Sequence, residues 1–184
     1  NDLGIELKDE DEEEDEDPST PSIDDAENTT SPLILDLDGD GIETTRLLNF
    51  FDHDGDGFQE KTGWVGAGDG FLARDLNGDG NINSGLELFG NNTQLESGAK
   101  AENGFQALDD LDSNEDGVIS SEDSAWAELS VWKDSNGNAA VDDGELLSLD
   151  EHGIASINID YTDSSVVDAH GHQHRQSSNM IMTD

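Results

Sequence analysis

Acidic side chains outnumber basic ones by 46 to 7 in this chain, and the resulting formal charge of -39 at pH 7 limits what it can fold into. A compact chain with so much charge of one sign is destabilised by its own repulsion. Part of the sequence must therefore stay unfolded, or cations must neutralise the carboxylates. Because Lys and Arg are so few, metal ions are the candidate cations.

The first 30 residues hold 14 of the acids and one Lys. The run at 8–17 (KDEDEEEDED) has no apolar residue, and such a stretch cannot bury a core. Residues 31–184 remain strongly acidic but also contain apolar clusters, for example at 33–35 and 146–147. We therefore predict a disordered acidic linker at 1–30 and one folded module at 31–184, which is about the length of a single domain.

Several classes of function are disfavoured by composition. The chain has no cysteine, which leaves oxygen ligands and hard cations rather than disulfides or thiolate metal sites. No apolar run approaches the roughly 18 residues of a membrane span, and no signal-peptide pattern opens the chain. The negative charge argues against a nucleic-acid partner. No Ser-His-Asp or Cys-His arrangement is recognisable from spacing, so we expect no enzymatic activity.

A short pattern typical of calcium-binding loops occurs five times. Such a loop places oxygen-bearing side chains at positions 1, 3 and 5, a turning glycine at 6, a backbone carbonyl at 7 and a carboxylate at 12, which together surround the ion with six to eight oxygens. Asp-Gly and Asn-Gly clusters also form ordinary turns. Five repeats of the same spacing favour calcium over that explanation.

The two most regular loops lie in the C-terminal half and are numbered 4 and 5 in chain order. The expected ligands of loop 4 are Asp112, Asn114, Asp116, the carbonyl of Val118, and Asp123. The expected ligands of loop 5 are Asp134, Asn136, Asn138, the carbonyl of Ala140, and Glu145. Ala139 stands where loop 5 should have its turning glycine, which predicts strain or weaker binding there.

Loops 1 to 3 keep the early positions but lack a standard closing acid. Loop 1 has Asp36, Asp38 and Asp40, with Glu43 nearby. Loop 2 has Asp52, Asp54, Asp56 and the carbonyl of Phe58, and we expect the distant Asp69 to complete its shell. Loop 3 has Asp75, Asn77, Asp79 and Asn81, with Glu87 one residue late at position 13. Together the loops predict four or five bound Ca²⁺ ions.

Apolar residues at helical spacing flank loops 4 and 5. They are Phe105, Leu108 and Leu111 before loop 4, and Trp126, Leu129 and Trp132 between the two loops. This pattern predicts an EF-hand-like pair at about 100–151, with one shared helix, a short helix after loop 5, and segments 118–119 and 140–141 as candidates for a miniature sheet. The alternating segment 155–161 (ASINIDY) predicts a strand. We therefore expect an α+β fold, a compact calcium-stabilised domain with a helix-loop-helix pair and short strands.

Longer motifs resemble a known family. The segments SPLILDLDGDGIET at 31–44, FFDHDGDG at 50–57, TGWV at 62–65, RDLNGDG at 74–80 and ELFGNNT at 87–93 are similar to the calcium-dependent self-processing modules of RTX proteins, of the FrpC type. The resemblance implies a calcium-folded module that cleaves the Asp-Pro bond preceding it, because the aspartate carboxylate attacks its own carbonyl and forms a cyclic anhydride, and the freed Asp can become linked to a lysine. Here Ser31 precedes Pro32, and a serine hydroxyl cannot form that anhydride. The bond between Asp17 and Pro18 is the other candidate cleavage site, less favoured because it lies 14 residues upstream in the acidic linker.

The resemblance implies a monomeric module of a large exported RTX-type protein, an adhesin or toxin, at the cell surface or outside the cell. We expect a non-catalytic calcium-binding module with a structural role, or one that binds an extracellular peptide or glycan. Loops 2 and 3 are the candidate ligand positions, where Trp64 and Phe71 form either an apolar wall or simply core. Autocatalytic Asp-Pro processing is the alternative, inactive here unless Ser31 is an engineered substitution.

Three histidines, His170, His172 and His174, alternate near the C-terminus. A strand would place them on one face, where they could bind Zn²⁺ or Ni²⁺. Glycine and glutamine between them favour a mobile turn or hairpin without a metal.

Overall fold

The computed structural model describes residues 31–183, which form a mainly β fold. This part of the chain contains one α-helix, α1 (Gly104–Asp109), and single 3-10 turns at Gly85–Glu87 and Trp126–Glu128. The strands are β1 (Ile34–Leu35), β2 (Thr44–Phe51), β3 (Glu60–Val65), β4 (Gly70–Ala73), β5 (Val118–Ser120), β6 (Ser130–Trp132), β7 (Leu146–Ser148), β8 (Ile154–Asn158), β9 (Thr162–Val167), β10 (Gln173–Ser177) and β11 (Met180–Met182). The predicted linker at 1–30 and the last residue, Asp184, lie outside the described residues. No helix among the described residues is long and apolar enough to cross a membrane.

A four-stranded antiparallel sheet in the order β1-β4-β6-β7 divides the hydrophobic core. Successive side chains of a strand point to opposite faces. In β6, Val131 packs into an aliphatic cluster with Leu72 and Leu108, while Trp132 packs on the other side of the sheet. That second set, the aromatic cluster, consists of Phe51, Trp64, Val65, Phe71, Ala73, Ile82, Leu88 and Trp132. The sheet is therefore buried on both faces at its centre.

Smaller antiparallel sheets surround this centre. The order β11-β8-β5 forms a three-stranded sheet, in which Ile119 of β5 lies opposite Ile157 of β8. The pairs β2-β3 and β9-β10 form separate two-stranded ribbons. The first ribbon delivers Phe51 and Trp64 to the aromatic cluster, whereas β9 is mostly exposed.

The predicted α+β fold with an EF-hand-like helix pair is wrong. A helix does precede loop 4, but the expected shared helix is a 3-10 turn followed by strand β6, and strand β7 replaces the short helix after loop 5. Val131 and Trp132 are both fully buried on opposite faces between β4 and β7. A helix would bury only one stripe of this segment, so tertiary pairing overrides the helical spacing.

The predicted miniature sheet between segments 118–119 and 140–141 is also wrong, because β5 pairs with β8 instead. The strand predicted at 155–161 is confirmed as β8, which ends at Asn158.

Candidate metal centre

Each loop winds its backbone around its first carboxylate. In loop 3, Asp75 accepts hydrogen bonds from the amides of Gly78 and Gly80, both at 2.8 Å. The first residues of loops 1, 2 and 5 accept the same two bonds, from the amides three and five residues later. These first residues are Asp36, Asp52 and Asp134. In loop 4, Asp112 accepts a hydrogen bond from the amide five residues later, that of Gly117, at 2.9 Å. The five predicted loops therefore share one backbone geometry.

Side chains at positions 3 and 5 fold back on the same backbone. In loop 4, Asn114 accepts from the amide of Asp116, which accepts in turn from that of Val118, both at 3.0 Å. The bond from position 5 to position 3 occurs in all five loops, and the bond from position 7 to position 5 in loops 2 to 5. Alternate oxygen-bearing side chains are thus held against each loop, in the arrangement that a calcium loop requires. In loop 1, carboxylate oxygens of Asp36, Asp38 and Asp40 lie within 4.8 Å of one another.

Positions 4 and 6 of every loop adopt left-handed backbone, which is why glycine occupies most of them. Ala139 at position 6 of loop 5 has φ of 57°, as does Glu115 at position 4 of loop 4. A residue with a Cβ pays about 1–2 kcal/mol for this conformation. The strain predicted at Ala139 is therefore present, and Glu115 is a second strained position, which the loop pattern did not predict.

In loops 2 to 5 a further carboxylate closes the loop by accepting the amide at position 2. Asp123 closes loop 4 through Ser113, and Glu145 closes loop 5 through Ser135, both at 2.9 Å. Glu87 closes loop 3 through Leu76 at 3.3 Å, although it stands one residue late in the sequence. The same three acids also accept an amide from position 9, namely that of Ser120, Asp142 or Asn83. One carboxylate thus joins the start of the loop to its end.

The structure assigns different closing acids to loops 1 and 2 from those expected. Asp69, which was expected to complete loop 2, lies in loop 1, where it accepts the amide of Glu43 at 2.6 Å. The side chain of Glu43 is exposed. In loop 2 the closing acid is Glu60, which accepts the amide of His53 at 3.1 Å and groups with Asp52 and Asp54. Glu60 was missed because it stands at position 9 rather than 12.

Asp69 is the most unusual acid among the described residues. It is fully buried, and its Oδ1 meets no hydrogen-bond donor in that part of the chain. Burial raises the pKa of Asp69, and the charges of Asp36 and Asp38 raise it further, against the opposing backbone amides of Glu43 and Leu37. A buried carboxylate oxygen without a partner is costly unless a cation or a proton satisfies it.

Asp123 differs from Asp69 in having a pKa below its ordinary value. Burial works to raise it, but the amides of Ser120 and Ser113 and the Ser113 hydroxyl stabilise the charged form and hold the pKa below its ordinary value.

Loop 5 is tied directly to the core. The indole Nε1 of Trp64 donates to Oδ2 of Asp134 at 2.6 Å, and the aspartate is 1% exposed. Trp64 packs edge-on against Trp132 and Phe71 in the aromatic cluster. Trp64 and Phe71 are thus core residues and form no exposed wall beside loops 2 and 3.

Comparison with known proteins agrees with the motifs. The family model described as the SPM domain matches residues 33–184. The chain belongs to the SPM domain family. This SPM domain is also 45% identical over 157 residues to "Iron-regulated protein FrpA" from Neisseria meningitidis serogroup C. The alignment covers 83% of this chain but 14% of FrpA, so the SPM domain corresponds to a small part of a longer relative. The predicted resemblance to a self-processing module of RTX-related proteins is confirmed at the level of the family.

Ser31 and Pro32, at the start of the described residues, are half-buried. The amide of Ser31 donates to Oδ1 of Asn91 at 3.0 Å. Its carbonyl oxygen lies against Gly90, where an added Cβ would approach it to 2.8 Å. Ser31 and Pro32 line a pocket of about 590 Å³ together with residues of β10.

Proposed function

We propose that this SPM domain binds four or five Ca²⁺ ions in its five loops, and that ion binding supplies much of its folding free energy. The observation that carries the proposal is the unpartnered, buried Oδ1 of Asp69 beside Asp36 and Asp38. A cation among these three carboxylates would satisfy that oxygen and turn their mutual repulsion into attraction.

The donor set fits calcium better than other metals. The loop residues offer carboxylate, amide and backbone carbonyl oxygens in a flexible arrangement, which Ca²⁺ accepts, whereas Mg²⁺ demands a smaller and stricter octahedron. With 46 acids and seven basic side chains, the folded state gains stability from any ion that binds it and not the unfolded chain.

Calorimetric titration and native mass spectrometry test the proposal. We expect four or five ions per chain and a melting temperature that falls on chelation. Asp69→Asn should lose one ion, while Glu43→Gln, which changes an exposed carboxylate of the same loop, should keep the wild-type number. A melting curve that is unchanged by chelator would refute the proposal.

Calcium-dependent folding also suggests in which compartment the SPM domain is folded. Extracellular calcium modules have Kd values of about 10⁻⁴–10⁻³ M, which leaves them empty in the cytosol and filled outside the cell. The match to 14% of FrpA supports a module of a larger chain. We propose that this chain is exported as an adhesin or toxin and that the module, a monomer, folds after export, when calcium binding supplies folding free energy. Melting at cytosolic and at extracellular calcium levels tests this idea, because stability at both levels would contradict it.

A ligand-binding role is compatible with this proposal, because a calcium shell that keeps an open position can accept a peptide carboxylate or a sugar hydroxyl. Phe58 in loop 2 and Leu76 in loop 3 are 75% and 59% exposed, so both candidate loops present apolar side chains to solvent. Capture from peptide and glycan arrays, with and without Ca²⁺, tests this role. An absence of calcium-dependent capture would leave the structural role.

Self-processing is the second candidate, because the SPM domain belongs to a family of self-processing modules. In that reaction the side-chain carboxylate of the residue before Pro32 attacks its own main-chain carbonyl, the C–N bond breaks, and the proline nitrogen takes up a proton. Ser31 has no carboxylate, so the chain as it stands should remain intact. Ser31→Asp in millimolar Ca²⁺ should generate a new N-terminus at Pro32 if the rest of the machinery is competent. An uncleaved, folded variant would restrict the SPM domain to binding or structure.

A further inference from the structure

The end of loop 3 lies against the beginning of loop 2. Loop 3 ends in the 3-10 turn Gly85–Glu87, whose last residue is its closing acid. The amide of Gly85 donates to the carbonyl of Asp52, the first residue of loop 2, at 2.7 Å. Asp52 also forms an isolated parallel β-bridge with Ser84, the residue before the turn. The two loops are therefore joined directly, backbone to backbone.

Two glycines make this close approach possible. A Cβ on Gly85 would lie 1.9 Å from the carbonyl oxygen of His53, which is position 2 of loop 2. A Cβ on Gly55, position 4 of loop 2, would lie 2.4 Å from Cδ1 of Leu86 in the 3-10 turn. Unbonded heavy atoms pack at about 3.5–4.0 Å, so a side chain at either position would push the turn away from the loop.

The segments in contact also carry the closing acids of both loops. The amide of His53 donates to Glu60, the closing acid of loop 2, at 3.1 Å. Glu87 forms the last residue of the 3-10 turn and accepts the amides of Leu76 and Asn83. A shift of either closing acid would therefore move backbone that the other loop contacts.

Further contacts join the same two loops. Phe51, directly before loop 2, and Ile82, at position 8 of loop 3, are both buried in the aromatic cluster. The side-chain amide of Asn92 donates to the carbonyl of His53 at 2.9 Å. Loop 4 differs, because its residue at position 8, Ile119, packs into the aliphatic cluster on the opposite face of the central sheet.

From these contacts we infer that loops 2 and 3 form a cooperative pair, in which a Ca²⁺ ion bound in either loop raises the affinity of the other. The inference rests on the proposed binding of Ca²⁺ by the loops. When loop 3 is filled, Glu87 and the 3-10 turn are fixed, and the fixed turn holds the first four residues of loop 2. Less conformational entropy is then lost when loop 2 binds its own ion. Such coupling acts equally in both directions.

Calcium titration followed by NMR at each loop tests this inference in the intact SPM domain. The amides of Gly57, Gly80 and Gly117 donate to the first carboxylates of loops 2, 3 and 4, so their chemical shifts report the filling of each loop. Glu60→Gln takes the closing carboxylate from loop 2 and should raise the calcium midpoint of loop 3 at least about fivefold. Glu87→Gln should raise the midpoint of loop 2 by a similar factor.

Two further variants separate coupling from general destabilisation. Asp123→Asn takes the closing carboxylate from loop 4, so it should raise the midpoint of loop 4 and leave the midpoints of loops 2 and 3 in place. Leu86→Ala uncovers Gly55 without altering a carboxylate. In the Leu86→Ala background both loops should still fill, but Glu60→Gln should shift the midpoint of loop 3 by a smaller factor.

A melting curve in saturating Ca²⁺ shows whether each variant is folded. Unshifted midpoints of loop 3 in Glu60→Gln and of loop 2 in Glu87→Gln would overturn the inference and leave calcium binding intact. An equal shift of both midpoints in Asp123→Asn would overturn it as well, because the coupling would then belong to folding of the whole domain. Chemical shifts that respond to Ca²⁺ in none of the loops would refute calcium binding itself, and the coupling with it.

Discussion

Replacing Trp64 by phenylalanine should cost more stability than any loss of core volume explains. The indole Nε1 donates a buried hydrogen bond of 2.6 Å to Oδ2 of Asp134, the first carboxylate of loop 5. A hydrogen bond to a charged partner contributes about 1.5–3 kcal/mol to stability. Phenylalanine cannot donate, so Trp64→Phe loses this amount in addition to the cost of the smaller ring.

Trp132 supplies a matched control within the same cluster. It is fully buried, and it shares Phe51 and Phe71 with Trp64 as ring neighbours. Its own Nε1, however, finds no acceptor among the described residues. Trp132→Phe therefore removes the same ring volume and an unpaired donor, and the difference between the two variants isolates the bond to Asp134.

Urea unfolding in excess Ca²⁺, followed by circular dichroism, measures this difference. Trp64→Phe should be less stable than Trp132→Phe by about 1.5–3 kcal/mol. For a domain of this size the melting temperatures should then differ by about 3–12 °C. Equal losses in the two variants would refute the claim that the core supports loop 5 through this bond.

Three further outcomes are expected. Gly117→Ala places a Cβ at φ of 84° with no atom within 4 Å, so only backbone strain should act. The strain is partly offset because alanine restricts the unfolded chain, and the unfolding free energy should fall by about 0.5–1 kcal/mol. An unchanged urea midpoint would contradict this. Glu60→Gln should abolish the ion of loop 2, counted by native mass spectrometry, whereas Asp69→Asn should retain it; the opposite result would favour Asp69 as the ligand of loop 2. Burial, aided by the charge of Lys133, lowers the pKa of His152 below 6.5. Its contribution to stability is therefore fully present above pH 6.5 and is lost as the pH falls towards the folded-state pKa. His152→Gln should reduce the slope of unfolding free energy against pH, measured by urea unfolding, and an unchanged slope would contradict this.

The sequence was sufficient to place the five loops because their spacing pattern is local. Alternate oxygens and left-handed turning positions lie within about six consecutive residues, where covalent geometry alone brings them together. The fold class was not predictable in the same way. The spacing of Trp126, Leu129 and Trp132 fits a helix as well as it fits a 3-10 turn followed by a strand. Only pairing with the neighbouring strands β4 and β7 decides between the two.

The closing carboxylates show the same limit. Asp123 and Glu145 follow at the standard distance, and each accepts the amide at position 2 of its loop; their role as calcium ligands stays a prediction. Asp69 stands 33 residues after Asp36 and reaches loop 1 only because β1 pairs with β4. Glu60 is near in sequence, at position 9, but the standard pattern places the closing acid at position 12.

Strand pairing explains why loops 1, 2 and 5 need no helices. Loops 1, 2 and 5 begin directly after β1 or β2 or one residue beyond β6, and their closing acids, Asp69, Glu60 and Glu145, stand at the start of the antiparallel partners β4, β3 and β7. In an antiparallel pair the end of one strand lies beside the start of the other. The first and last carboxylates of these three loops are therefore brought together by strand pairing, where an EF-hand would use its two helices. By the same geometry, a cation held between those carboxylates would clamp the strand pair, and its loss would leave like charges facing each other at the sheet ends.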